Sequence, residues 1–208
     1  MRGLKAASIV IIAAVSLLLV VLVACISQAY VARWRAEHCL AMLERIQVGV
    51  TKRDAVLEMF RPFRGNMSEE PDADQRSLGL NFDNHGLVSL RVAPYTEFRV
   101  SITFKDDVVV EKQAREFQAR LGCGARVDEK IRGFGSRSGT APNDYPNHIV
   151  RSAPPGFPGP VRHVSVEDDN TLGESQRRTD WRFNLSCMTQ LNGCNDARRM
   201  LPDARPSN

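Results

Sequence analysis

Four histidines, His38, His85, His148 and His163, are the residues of this chain whose type suits proton transfer near neutral pH. Of these, His163 has company. Ser165 follows two positions on, on the same face of an alternating strand, and Asp168 and Asp169 come just after it. Joined to Ser165 or Ser186 and one of those aspartates, His163 would make a hydrolase of the nucleophile–base–acid kind. No Gly-x-Ser-x-Gly elbow accompanies it. Asp106-Asp107 and Asp168-Asp169-Asn170 set carboxylates side by side, whereas a calcium loop spaces its oxygens at alternate positions. Gly133-Phe134-Gly135 starts like a dinucleotide fingerprint, but the third glycine and the surrounding strand–helix–strand pattern are missing. These residues lead us to expect no metal, no cofactor and no small-molecule ligand, with the His163 hydrolase as the alternative to a non-enzymatic chain.

The cysteines speak of a compartment. After Cys25 come Cys39, Cys123, Cys187 and Cys194, an even number that suits two disulfides in an exported domain, with three pairings open. Cys187 and Cys194 flank the turn former Asn192-Gly193, which could bring them together. No Cys-x-x-Cys pair offers a zinc or thioredoxin-type motif. The net charge is +4, from 28 basic and 24 acidic residues that are interspersed along the chain. Nucleic-acid binding needs a basic stripe, so we expect none.

What must carry these residues begins with a charge-free stretch from Ala6 to Ala32, mostly Ile, Val, Leu and Ala. About 20 apolar residues in a helix cross the ~30 Å hydrocarbon layer. The expected anchor is 8–30, after a short tail 1–7, with Tyr30 to Trp34 at the height of an interfacial aromatic belt. Two other readings stay open. Leu22-Val23-Ala24-Cys25 resembles a lipobox, which would lipidate Cys25, and Ser27-Gln28-Ala29 is a passable signal-cleavage site. The basic flanks Arg2 and Lys5 against Arg33 and Arg35 nearly balance, so orientation rests on the cysteines, which favour the bulk of the chain outside the cytoplasm.

Beyond the anchor, 31–121 reads as an α+β domain. Ala36, Cys39, Leu40, Leu43 and Ile46 recur at helical spacing, Gly49 stops that helix, and Thr51 is placed to cap a second one over 52–60 that Pro62 ends. Residues 64–76 read as loop. Leu78–Phe82 and Leu87–Val92 flank Asp83-Asn84-His85-Gly86 as a hairpin, and Phe98–Phe104 and Val108–Val110 continue an antiparallel β-meander. Glu111–Leu121 reads as helix, 122–160 as a Gly/Pro-rich loop with one PxxP match at Pro155–Pro158, and 161–208 as a C-terminal portion. That portion holds a strand at Val161–Glu167, another at Trp181–Phe183, a helix over Asn195–Leu201 and the Cys187/Cys194 pair. The expected fold is an N-terminal transmembrane helix followed by a short helical pair packed on an antiparallel meander.

The run from Leu43 to Val56, with Gly49-Val50-Thr51 and Val56 in a Gly-x-Thr-x-x-x-x-Val pattern, resembles the small lipoprotein subunit of the outer-membrane β-barrel assembly machine and its relatives. Ile102-Thr103-Phe104 before Asp106-Asp107 is similar to a strand and acidic turn of that family, and the likeness covers about residues 40–112. Arg61-Pro62-Phe63-Arg64-Gly65 departs from the family's Gly-x-Pro step, and the chain after 112 has no counterpart. The resemblance implies a binding scaffold without catalysis. The function expected is a single-pass, membrane-anchored scaffold of the cell envelope, with the membrane and another envelope protein as its partners.

Overall fold

The computed structural model describes residues 2–71, 75–132, 148–152 and 159–204. The dinucleotide-like run, the Pro155–Pro158 match and most of the expected Gly/Pro-rich loop lie outside them, as does the tail from 205. One helix, α1 (Arg2–Leu43), opens the chain. Its stretch from Ile9 is the one helix among the described residues long and apolar enough to cross a membrane, with a mean hydropathy of 3.4 in its most apolar window. The large apolar side chains from Ile9 to Val23 are exposed.

The helix does not divide at Tyr30. From Cys25 one stripe turns to the protein: Cys25 partly buried, then Ala29, Ala32, Ala36, Cys39 and Leu43 fully so. The steps are four and three residues, the repeat that keeps one seam of a helix against a partner. Most of these side chains are small, so the helix backbone lies close to what it covers. That partner is a seven-stranded sheet in the order β1-β2-β3-β4-β5-β7-β6. The strands are β1 (Met67–Pro71), β2 (Arg76–Asp83), β3 (Thr96–Lys105), β4 (Val108–Gln118), β5 (Cys123–Lys130), β6 (His148–Arg151) and β7 (His163–Asp169). All neighbours are antiparallel except β5 and β7, which run parallel. The fold is therefore mixed α+β, as expected. One sheet face packs Leu80, Phe82, Phe98, Val100, Ile102, Val127 and Val166 into a single core with α1 and the C-terminal segment.

Several elements differ from the sequence reading. Residues 87–92 are not a strand. A short helix, α3 (His85–Ser89), sits in the β2–β3 connection, and Leu87 packs on Ala29 of α1. Buried Asn84 holds that loop shut, donating to the Pro94 carbonyl at 3.0 Å and accepting from Thr96 N at 2.9 Å. Glu111–Leu121 is not a helix but most of β4, and β5 occupies the start of the expected loop. Met67–Pro71, read as loop, is an edge strand. Trp181 closes α4 (Glu174–Asp180) instead of starting a strand, and the C-terminal helix shrinks to a 3-10 turn, Ala197–Arg199. Thr51 does not cap α2 (Arg53–Met59). Its hydroxyl accepts from Gln47 N at 2.9 Å and closes the turn after α1, where Gly49 takes a φ of 84°. Asp106 and Asp107 both have positive φ, making the two-residue hairpin between β3 and β4.

The helix-facing side of β4 is polar: Lys112, Glu116 and Gln118 are all buried there. Lys112 Nζ donates to the carbonyls of Leu43 (3.2 Å) and Ile46 (2.8 Å), satisfying the orphan end of α1. It also pairs with Glu129 at 3.0 Å and stands 4.8 Å from the Trp181 ring centroid. Arg177 completes the cluster with a 3.0 Å bond to Glu129. Burial pulls the Lys112 pKa down, and Glu129 opposes that pull. Gln118 bridges Thr96 and the backbone N of Cys194 (2.8 Å), which fixes the Cys187–Cys194 disulfide loop to the sheet. Gly193 is required there: at φ 62° an added Cβ would meet Pro94 at 2.6 Å. Glu116, between Phe98 and Ala125 in register, is fully buried, and neither carboxyl oxygen has a hydrogen-bond partner among the described residues.

Two outcomes follow. Lys112→Met leaves Glu129 short of a cation and the Leu43 and Ile46 carbonyls without their donor, and should cost about 3 kcal/mol in chemical denaturation followed by tryptophan emission. Burial raises the Glu116 carboxyl well above its usual value, with Arg33 acting weakly against it. The folded chain thus keeps a proton that the unfolded chain releases. Its contribution is fully present below the usual carboxylate range and is lost as pH rises towards the raised folded value. Glu116→Gln should remove that slope, gaining on the wild type in unfolding free energy between about pH 5 and pH 8.

Candidate interaction surface

The structure does not assemble His163 into a catalytic set among the described residues. His163 is exposed at the first position of β7, on the sheet face away from α1. Ser165 is beside it on that face, but Asp168 points to the opposite, buried side. Asp169 shares the face of His163 yet lies six residues along, about 20 Å at ~3.3 Å per residue. It is engaged instead with Thr171, whose N donates to it at 2.8 Å. Ser186 lies in the 3-10 turn Leu185–Met188 next to α1, its hydroxyl accepting from Gln190. His38 is exposed and stacks on Trp34 with centroids 4.7 Å apart, His85 begins α3, and His148 begins β6. No group of three or more His, Cys, Asp or Glu side chains gathers as a metal site among the described residues. Cys187 and Cys194 are disulfide-bonded, as the flanked turn suggested, while Cys25, Cys39 and Cys123 are free.

A pocket of about 470 Å³ opens at the C-terminal end of α1, lined by Glu44, Gln47, Lys112, Glu174, Arg177 and Trp181. Its central cation, Lys112, is already committed to Glu129 and two carbonyls, so the pocket serves the fold.

The sheet's other face is polar, and its charges are ordered. Register places Arg99 of β3 opposite Arg115 of β4, and Arg115 opposite Arg126 of β5. Arg126 is level with Ser165 of β7, which is level with Arg151 of β6. All four arginines are exposed. At ~4.8 Å between strands the row spans about 20 Å, perpendicular to the strands. Three of them have a carboxylate partner in a flanking row: Glu97 for Arg99 at 2.7 Å, Asp128 for Arg126 at 2.6 Å and Glu167 for Arg151 at 3.6 Å. Arg115, in the middle, has no carboxylate within salt-bridge reach among the described residues and instead lies 4.8 Å from the Phe117 ring centroid. At the β1–β2–β3 end the row opens on a polar hollow of about 330 Å³ lined by Ser68, Ser77, Asn81 and Ser101. Gly79 keeps that hollow open, since a Cβ there would meet Ser68 Oγ at 2.8 Å.

Like charges directly opposite across strands destabilise a sheet. Flanking carboxylates offset three of the four, so the cation of the row left for an anionic group from outside is Arg115 at its centre. Arg99 was legible in the alternating Phe98–Phe104 strand. Arg115 and Arg126 were not, because one fell in an expected helix and the other in an expected loop. No known family model, curated protein or solved structure matches the chain.

Arg115→Glu turns two repulsive cross-strand pairs into attractive ones. It should raise unfolding free energy by about 0.5–1 kcal/mol at low salt, with the gain shrinking as salt is added.

Proposed function

We propose that this chain is a single-pass, uncleaved membrane-anchored scaffold, non-enzymatic, whose α+β domain lies outside the cytoplasm and holds another envelope protein by an acidic extended segment. The observation that carries the reading is the row Arg99–Arg115–Arg126, continued by Arg151, on the open face of the sheet. Binding by added strands at the sheet edge is less well supported. Edge strand β1 is five residues long and ends in Pro71, and β6 is four residues long, both features that blunt an edge.

That the helix is not cut after Ala29 is supported by its packing past the membrane stretch. Gln28 donates to the Asp83 carbonyl and accepts from Gly86 N, both at 3.2 Å, and Ala29 is buried against Leu87. Cleavage after Ala29 would strip these contacts, and cleavage before Cys25 would keep them. The location outside the cytoplasm is supported by the Cys187–Cys194 disulfide. Kinship with the barrel-assembly lipoproteins belongs to the same proposal. It is supported by the glycine-turned connection between α1 and α2, where Gly49 N donates to the Val109 carbonyl at 2.8 Å, and by the antiparallel strands that follow.

The test is photo-crosslinking from position 113, which faces outward beside the row, followed by affinity capture from detergent-solubilised membranes. One protein should be crosslinked when irradiated at low salt, fail to crosslink when irradiated at high salt, and be lost at least tenfold in Arg115→Glu, although that variant is the more stable. Equal capture by Arg115→Glu would count against the reading.

A further inference from the structure

The register brings three connecting segments among the described residues to a common level at one end of the sheet. Asp83 of β2 pairs with Glu97 of β3, Thr96 with Gln118 of β4, Gln118 with Cys123 of β5, and Gly124 with His163 of β7. The tips beyond these pairs are 84–95, 119–122 and 159–162. Each carries one arginine and no carboxylate: Arg91, Arg120 and Arg162, all exposed. The carboxylates at the base of the tips are occupied. Asp83 accepts from His85 N, Glu97 holds Arg99 and the Tyr95 hydroxyl, and Asp196 holds Arg198. The opposite end of the sheet carries exposed Asp106 and Asp107 at its β3–β4 turn, next to Lys105, and buried Asp168 and Asp169 at the close of β7, the latter paired with Arg132.

The basic end is also the end at which α1 leaves. Gly86 in the first tip approaches the Cys25 backbone so closely that a Cβ on it would stand 3.3 Å from Cys25 Cα. The exposed apolar run Ile9–Val23 ends two residues before Cys25. Exposed Tyr30 follows Ala29, which packs on Leu87 of the first tip, the height at which an aromatic residue would meet lipid headgroups. Val92, partly exposed, and Leu121 add apolar surface beside Arg91 and Arg120.

We infer that the three tips form a lipid-contacting collar: Arg91, Arg120 and Arg162 bind anionic phospholipid headgroups of the leaflet from which α1 emerges, holding the sheet upright on the bilayer. The inference rests on the reading of α1 as a membrane span. Each basic residue near an anionic surface contributes on the order of a fivefold gain in binding. The bond of Arg162 Nη1 to the Leu121 carbonyl ties two of the tips together.

Hydrogen–deuterium exchange of the full chain, reconstituted in phosphatidylcholine vesicles with or without phosphatidylglycerol, tests it. With phosphatidylglycerol, amides of 85–93 and 119–122 should exchange about tenfold more slowly than in phosphatidylcholine alone, while those of the Asp106–Asp107 turn stay the same. High salt should abolish the difference, and so should Arg91→Gln with Arg120→Gln, a pair whose side chains are exposed and outside the core. Exchange at the tips that ignores lipid charge, or that is unchanged in the double variant, would overturn the collar while leaving the anchor intact. A chain that alkaline washing removes from the vesicles would overturn the anchor itself, and the collar with it.

Discussion

The structure depends on one helix serving two surroundings without a break. Along Ile9–Val23 the side chains of α1 are large, apolar and turned outward on all sides. From Cys25 to Leu43 the same helix is a core element, and the change is made by residue size on one stripe. Ala29, Ala32, Ala36 and Cys39 let the backbone sit close on the sheet, and their spacing of three and four keeps that seam straight for five turns. A bulky residue at Ala32 or Ala36 would lift the helix off the core it covers. The position of the domain relative to the apolar half of α1 is therefore set by four small side chains rather than by a linker.

The inner face of β4 is unusual in burying Lys112, Glu116 and Gln118. Two of these are put to structural use. Lys112 ends α1 by binding its last carbonyls, and Gln118 secures the disulfide loop. Glu116 has no such partner and is held neutral by burial. The fold carries this orphaned carboxyl as a standing cost near neutral pH.

How much could be read from the residues follows the same logic. The long apolar helix was legible because Ala6 to Ala32 is a charge-free run of mostly Ile, Val, Leu and Ala. Strand β3 was legible because Phe98, Val100, Ile102 and Phe104 alternate with polar residues. β4 was hidden because its inward positions are Lys, Ala, Glu and Gln, which erase the two-residue period and favour helix. α3 was mistaken for a strand because Leu87, whose partner is Ala29 far back in α1, gives an apolar signal with no local cause. The arginine row could not be seen at all from one strand. It exists only once β3, β4 and β5 are placed in register, and it joins residues far apart along the chain.

The most direct test of this account is the intact mass of the protein purified from the membrane fraction, with and without reductant. A continuous α1 that both spans and packs predicts the full 23.2 kDa chain, lighter before reduction by the two hydrogens of one disulfide. A mass that begins at a lipidated Cys25, or beyond Ala29, would contradict it. Either would mean that the helix is cut where the structure makes it continuous.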